Sequence, residues 1–281
     1  MIKVKNLNKV YPTFSLKDVS FDIPKGYIIG FLGLNGAGKT TTIKSMLNVV
    51  KPDSGNVLFF DKDIANHELE IKQDIGFILG AFDYYPKNKV KDITNIYRSF
   101  FVNWDQELYL EYIQKFDIDQ DKRVCDLSAG MKVKYGLALA LSHHAKILIL
   151  DEPTSGLDPL AREDILDIFR EIIQDGETSI LFSTHITSDL DKCADFILMI
   201  KNGQIIAFDS KDNLIDNHRL ICGNLDDLTL ELRQHLIGYK KNKFGFDGLL
   251  KTEYANSLSL EKSTPNLEDI MIYYNLEVKN D

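Results

Sequence analysis

The chain has 281 residues, 44% of them apolar, and a formal net charge of −9. That length accommodates one large domain or two, with enough apolar content for a sizeable core. The acidic balance argues against nucleic acid as a partner, since duplex binding calls for a basic footprint. No apolar run approaches the ~20 residues that cross a bilayer.

Taken in order, residues 2 to 23 read as strands, with Leu16 to Ile23 alternating apolar and polar. The first residues, Met1 to Lys5, lack the apolar stretch of a secretory signal. Pro24-Lys25-Gly26 is a turn, and Tyr27 to Leu32 is an apolar strand. A helix is expected from Lys39 to about Val49, then a turn at Lys51 to Gly55 and a strand from Asn56 to Phe60. A short helix leads to a buried strand at Ile75 to Leu79. Lys91 to Phe116 is helical, and a long helix runs from Leu127 toward His144. Ile147 to Leu150 is a fully apolar strand ending in Asp151-Glu152. A helix (Leu160 to Gln174), a strand (Thr178 to Ser183), a helix (Ser188 to Cys193) and two strands flanking Asn202-Gly203 follow. Alternating strands and helices predict a parallel sheet with helices on its faces. Such sheets bind ligands at the carboxyl ends of their strands, and Gly33 and Asp151 sit at such ends. Beyond Ser210 the chain is more polar and reads as a small αβ appendage. Cys125, Cys193 and Cys222 lack metal-ligand spacing and read as buried or idle thiols in a reducing cytosol. His143-His144, near a helix C-terminus, read as surface residues favoured by the helix dipole.

The stretch Gly33-Leu34-Asn35-Gly36-Ala37-Gly38-Lys39-Thr40 follows the apolar strand Tyr27 to Leu32 and opens a helix. This is the layout of a phosphate-binding loop. Its glycines let backbone N–H groups converge on an anion, and the helix N-terminus adds partial positive charge. Lys39 can reach the outer phosphates of a nucleotide, and the Thr40 hydroxyl can bind Mg²⁺. Asp151 is placed to hold the metal through water, and Glu152 to polarise an attacking water as general base.

Three further segments complete the set. Residues 127 to 131 read Leu-Ser-Ala-Gly-Met, residues 155 to 158 read Ser-Gly-Leu-Asp, and His185 follows a strand. In this order, with Asp151-Glu152 between the first two, they closely resemble the ATP-binding cassette (ABC) ATPases over roughly residues 1 to 210. The fold this implies is α/β, a P-loop NTPase of the ABC type. It has a parallel core sheet, an N-terminal antiparallel β subdomain and a helical subdomain (about 81–142), with a C-terminal αβ accessory domain over 211–281. The resemblance further implies that two cassettes pair head to tail around two Mg-ATP, as a homodimer or heterodimer. Gly33, Asn35, Gly36, Ala37, Gly38, Lys39, Thr40 and Thr41 would hold one nucleotide and Tyr11 would stack on its adenine. Leu127, Ser128, Ala129, Gly130 and Met131 of the other subunit would cap its γ-phosphate. His185 would contact that phosphate, and Asp158 would cross the interface.

Two departures stand out. Ala129 and Met131 replace the third and fifth residues of the usual Leu-Ser-Gly-Gly-Gln signature. Gly80 stands where a glutamine usually touches the Mg²⁺ and the attacking water; Asp83 is a weak substitute. Ten aromatics lie in residues 82 to 116: Phe82, Tyr84, Tyr85, Tyr97, Phe100, Phe101, Trp104, Tyr109, Tyr112 and Phe116. About half suffice for a small subdomain core, and the rest suit a groove that anchors a helix of a separate transmembrane permease. Met131 to Ala138, Leu157 to Arg162 and Pro265 to Ile270 are similar to cassettes of bacitracin-type and phenol-soluble-modulin exporters. The resemblance thus implies an ATPase on the cytoplasmic face of the membrane, energising an exporter of peptides, antibiotics or amphipathic molecules. The alternative is a soluble ABC-type ATP switch without a membrane partner.

Overall fold

Two long alternating segments build the first sheet. β1 (Ile2–Tyr11) and β2 (Phe14–Ile23) pair antiparallel. The alternation skips a beat at Asn6 and Asp18, both in the left-handed region, where the register of the pair shifts. That bulge turns Leu7 and Val19 onto the core face. β4 (Ser54–Phe59) and β5 (Lys62–Asp63) complete this sheet in the order β2-β1-β4-β5. The computed structural model describes residues 1–80 and 85–276. The chain divides into two units, Met1–Phe208 and Asp209–Asp281.

The central sheet of the first unit has, among the described residues, the order β10-β9-β3-β8-β7-β6. Its strands are β3 (Ile28–Leu32), β6 (Ile75–Leu79), β7 (Ile147–Asp151), β8 (Ser179–Thr184), β9 (Phe196–Lys201) and β10 (Gln204–Ser210). β3, β7 and β8 are buried at every residue, as parallel strands covered on both faces require. Among the described residues β6 is the edge strand, paired with β7, and its Phe77 is exposed. Ile75, Gly76 and Ile78 are buried, as expected of this strand, with Phe77 the exception.

The helices are α1 (Lys39–Met46), α2 (Ile64–Gln73), α3 (Val90–Arg98), α4 (Gln106–Lys115), α5 (Ala129–Leu141), α6 (Pro159–Ile172) and α7 (Thr187–Cys193). α1 ends three residues before the expected Val49, and α5 ends before His144. The stretch Lys91 to Phe116, expected to be helical, holds two helices, because Asp105 starts a new one by accepting from the Glu107 and Leu108 amides.

His143 is not a surface residue. It is 2% exposed, its ring stacks on Phe101 at 3.8 Å, and burial pushes its pKa down to about 4. Nδ1 lies 3.1 Å from the Gln73 carbonyl, which can only accept, so Nδ1 carries the proton. Nε2 then accepts from the Tyr97 hydroxyl at 3.3 Å. His144 is exposed, as expected.

Of the aromatics expected to line a groove, Phe101 stacks on Tyr97 and His143, and Trp104 packs on Tyr97 and Tyr109. Among the described residues, Tyr85, Ile96, Phe100, Val102 and Leu110 are the exposed large apolar residues of this segment. Phe82, Asp83 and Tyr84 lie outside the described residues. Cys193 is buried, whereas Cys125 and Cys222 are exposed.

The second unit is an antiparallel sheet in the order β12-β13-β11-β14, formed by β11 (His218–Gly223), β12 (Gly238–Asn242), β13 (Gly245–Lys251) and β14 (Glu261–Ser263). With it go α8 (Lys211–Asp216), α9 (Leu230–His235), α10 (Thr252–Ala255) and α11 (Leu267–Asn275). Ile221, Leu232, Phe246 and Leu250 form its core. No helix among the described residues is long and apolar enough to cross a membrane.

Candidate functional site

The loop between β3 and α1 turns the chain back over the carboxyl ends of the central strands. Gly38 starts α1 at φ 117°, a conformation that favours glycine. A Cβ at Gly38 would also meet Phe14 and Leu16 at under 3 Å. Thr13, Phe14, Leu34, Asn35, Gly36, Gly38, Lys39, Thr40, Thr41, Glu152, Ser155 and His185 line a cleft of ≈ 560 Å³. The structure therefore brings the phosphate loop, Glu152 and His185 to one cavity, while Gly33 and Ala37 are buried beneath the loop. Tyr11 lines an adjoining depression that shares Thr13, Phe14 and Gly36 with the cleft, and the Lys9 ammonium lies 5.8 Å from its ring centroid.

Charges at this site are paired. The Lys39 ammonium, on a side chain 6% exposed, donates to the Gly33 carbonyl at 2.7 Å and sits 3.0 Å from Glu152 Oε1. Glu152 Oε2 lies 3.0 Å from His185 Nδ1, so a single carboxylate spans both cations or donors. As the carboxylate accepts, Nδ1 carries the proton, which leaves Nε2 for a ligand. Glu152 sits at φ 52°, in the left-handed region, which costs a non-glycine residue about 1–2 kcal/mol. Such strain gathers at working sites.

Asp151, buried at the end of β7, accepts from the Thr40 hydroxyl at 2.8 Å and from the Ser183 hydroxyl at 2.6 Å. Ser183 also accepts the Glu152 amide at 2.9 Å. Ser183 was not legible as a site residue; it follows three apolar residues in β8 and only the sheet brings it beside β7. The hydroxyl of Thr40 and the carboxylate of Asp151 are hard oxygen donors side by side, the donor set Mg²⁺ takes when phosphates and water supply the remainder. Among the described residues, no group of three or more His, Cys, Asp and Glu gathers as a self-sufficient metal site.

Leu127 to Met131 do not line the cleft. Ser128 caps α5, its hydroxyl accepting from the Met131 amide at 3.2 Å, and Leu127 and Gly130 are buried while Ala129 is exposed. A Cβ on Gly130 would meet that of Ala161 at 3.3 Å. Asp158 caps α6, accepting from the Leu160 and Ala161 amides at 3.0 Å. Gly80 follows β6 at φ 69° with nothing within 4 Å of where a Cβ would stand.

Comparison with known proteins agrees with this architecture. The family model "ABC transporter" matches residues 16–155. The bacitracin transport ATP-binding protein BcrA of Bacillus licheniformis is 31% identical, over 78% of this chain and 72% of its own. The lantibiotic transport ATP-binding protein SrtF of Streptococcus pyogenes is 34% identical, over 76% of this chain and 94% of its own. A solved ATP-binding subunit of an ABC transporter superposes with a TM-score of 0.68 at 26% identity, over 76% of this chain and 91% of that one.

Proposed function

The chain belongs to the ABC transporter family, as an ATP-hydrolysing cassette, and from that premise we propose that it powers a separate membrane permease from the cytoplasmic face, exporting peptides, antibiotics or amphipathic molecules. The observation that carries this is Glu152, held between Lys39 and His185 at the lip of a phosphate loop. The substrate class rests on the two relatives named for bacitracin transport and lantibiotic transport.

In this reading the backbone N–H groups of residues 33 to 41 and Lys39 bind the phosphates of ATP, and Tyr11 stacks on adenine. Thr40 and Asp151 would hold Mg²⁺, which would supply charge neutralisation at the phosphates. Incoming phosphate takes over Lys39, and Glu152 then turns to the attacking water as general base. His185 Nε2 orients the γ-phosphate. Leu127 to Met131 lie outside the cleft of their own chain, which suits a cap supplied by a second, head-to-tail cassette. The serine-capped N-terminus of α5 is a fit anion site. Asp158 faces that interface. The exposed Phe100 and Val102 are the anchors offered to the permease.

The test is ATPase activity and oligomeric state of the purified chain, alone and with the membrane proteins encoded beside it. Glu152→Gln is expected to abolish hydrolysis and prolong an ATP-dependent dimer. Normal hydrolysis by that variant would remove Glu152 as the base. Polar substitution of Phe100 and Val102 is expected to leave basal activity intact and weaken the complex; an undiminished complex refutes the docking assignment.

A further inference from the structure

Asp189 is 1% exposed and lies on α7, four residues past His185, yet the chemistry above makes no use of it. A buried carboxylate is costly unless it is paired. Its Oδ2 accepts from the Thr154 hydroxyl at 2.7 Å, and Thr154 is itself fully buried. Its Oδ1 lies 3.9 Å from Arg162 Nε, on the first turn of α6. Thr154 belongs to the segment that runs from Glu152 to Asp158, the cap of α6. Three elements therefore converge on one carboxylate: the segment leaving Glu152, the helix that Asp158 caps, and the helix that follows His185.

We propose that Asp189 is a positioning residue for ATP hydrolysis, fixing the Glu152 segment to the His185 helix so that base and phosphate contact move as one body. This rests on the assignment of Glu152 and His185 to the γ-phosphate site. Two stitches hold Glu152 from opposite sides. In front, the Ser183 hydroxyl and carbonyl hold its amide at 2.9 and 3.2 Å. Behind, Asp189 holds Thr154, two residues on. The left-handed backbone at Glu152 is not a relaxed one, so its persistence demands such external restraint. None of these contacts involves the phosphate loop, so losing the Asp189 stitch leaves nucleotide binding alone and misplaces the base. Displacements on the order of 1 Å cost catalysis as much as 100-fold.

The experiment uses the full chain with Thr154→Val, Asp189→Asn, Asp189→Ala and the double variant Thr154→Val/Asp189→Ala. Single-turnover hydrolysis and ATP affinity are measured separately. Thr154→Val and Asp189→Ala are expected to slow hydrolysis about tenfold or more with ATP Kd within about twofold. Asp189→Asn, whose carbonyl still accepts from Thr154, retains an intermediate rate. The double variant is no slower than the slower single, since both remove one interaction. Thr154→Val deletes a single hydroxyl and carries the test if Asp189→Ala does not fold. Wild-type rate in Thr154→Val, fold-losses that multiply in the double, or affinity falling in step with rate would each overturn the proposal. Glu152→Gln run alongside separates the two levels. Full activity in Glu152→Gln sinks the underlying site assignment. An inactive Glu152→Gln beside a normal Thr154→Val sinks the Asp189 proposal alone.

Discussion

Ser183→Ala isolates one hydroxyl that the site depends on. Ser183 Oγ is buried and donates to Asp151 Oδ1 at 2.6 Å while accepting the Glu152 amide at 2.9 Å. Deleting it leaves Asp151 with the Thr40 hydroxyl as its remaining side-chain donor here. A hydrogen bond to a charged group contributes about 1.5–3 kcal/mol, and a buried acceptor left short of a partner forfeits that amount. The Glu152 amide adds little to the loss, because the Ser183 carbonyl stays within 3.2 Å of it. At about 2–4 °C per kcal/mol for a unit of this size, the melting transition of residues 1–208 should fall by about 3–12 °C. The functional consequence is specific to the metal. Asp151 loses its fixed orientation, so the Mg²⁺ concentration for half-maximal ATPase activity rises several-fold, while metal-free nucleotide binding holds. Thermal melts and a Mg²⁺ titration of the ATPase rate measure both. A variant that melts with the wild type and keeps its Mg²⁺ requirement refutes the account of Ser183 as the support of Asp151.

Three further outcomes follow from other parts of the first unit. Gly80→Gln meets no steric bar but must hold a left-handed backbone, so it costs about 1–2 kcal/mol of stability; measured against Gly80→Ala, which carries the same strain, any change in ATPase rate reports the amide, and identical rates in the two make the missing side chain irrelevant. His143 titrates near the ordinary 6.5 when unfolded and near 4 when buried. Between those values the unfolded chain binds more protons, so stability is full above pH 6.5 and falls by up to about 3 kcal/mol as pH drops toward 4; urea melts at pH 7.5 and 4.5 measure this, and His143→Phe should flatten that part of the slope. Gln73→Ala removes both hydrogen bonds to the Phe100–Val102 segment and should reduce permease-stimulated ATPase activity more than basal activity; equal losses in the two speak against a role in docking.

What the sequence made legible was whatever a short stretch dictates by itself. The glycines of residues 33 to 38 announce a backbone that only they adopt readily, and the apolar run before Asp151-Glu152 announces a buried strand end. The bulge at Asn6 and Asp18, the split of α3 from α4 and the burial of His143 were not legible. The α3–α4 break is local, a cap at Asp105 hidden in a mixed polar-apolar stretch, whereas the other two depend on partners that only the fold supplies: β2 against β1, and Phe101 and Gln73 around the imidazole. Ser183 and Asp189 escaped for the same reason. A serine in an apolar strand and an aspartate in a short helix carry no local mark, and only the adjacency of β7 with β8 and of α6 with α7 gives them their partners. Which aromatics of residues 82 to 116 pack and which stay at the surface was not legible either: Phe101 and Trp104 stack on neighbouring rings, while Phe100 and the aliphatic Val102 are exposed.

Gly80 looks different once β6 is seen whole. The strand is short, five residues from Ile75 to Leu79, and it lies at the sheet edge with β7 as its paired neighbour. At its far end Leu79 stands opposite Asp151. Just before its near end, Gln73 grips the segment after α3 in both directions: its amide nitrogen donates to the Phe100 carbonyl at 2.9 Å, and its amide oxygen accepts from the Val102 N–H at 3.0 Å. The Gln73 carbonyl meanwhile accepts from His143, which follows α5. The helical subdomain is thus fastened to β6 at the end opposite the nucleotide cleft, by polar contacts that need nothing from residue 80. A side chain at that position is one way for docking to reach the metal carboxylate. On the proposed reading the strand itself would join the two, with the segment of Phe100 and Val102 fastened at one end and the neighbour of Asp151 at the other. On that reading, Gly80 in place of a glutamine would leave this connection unchanged.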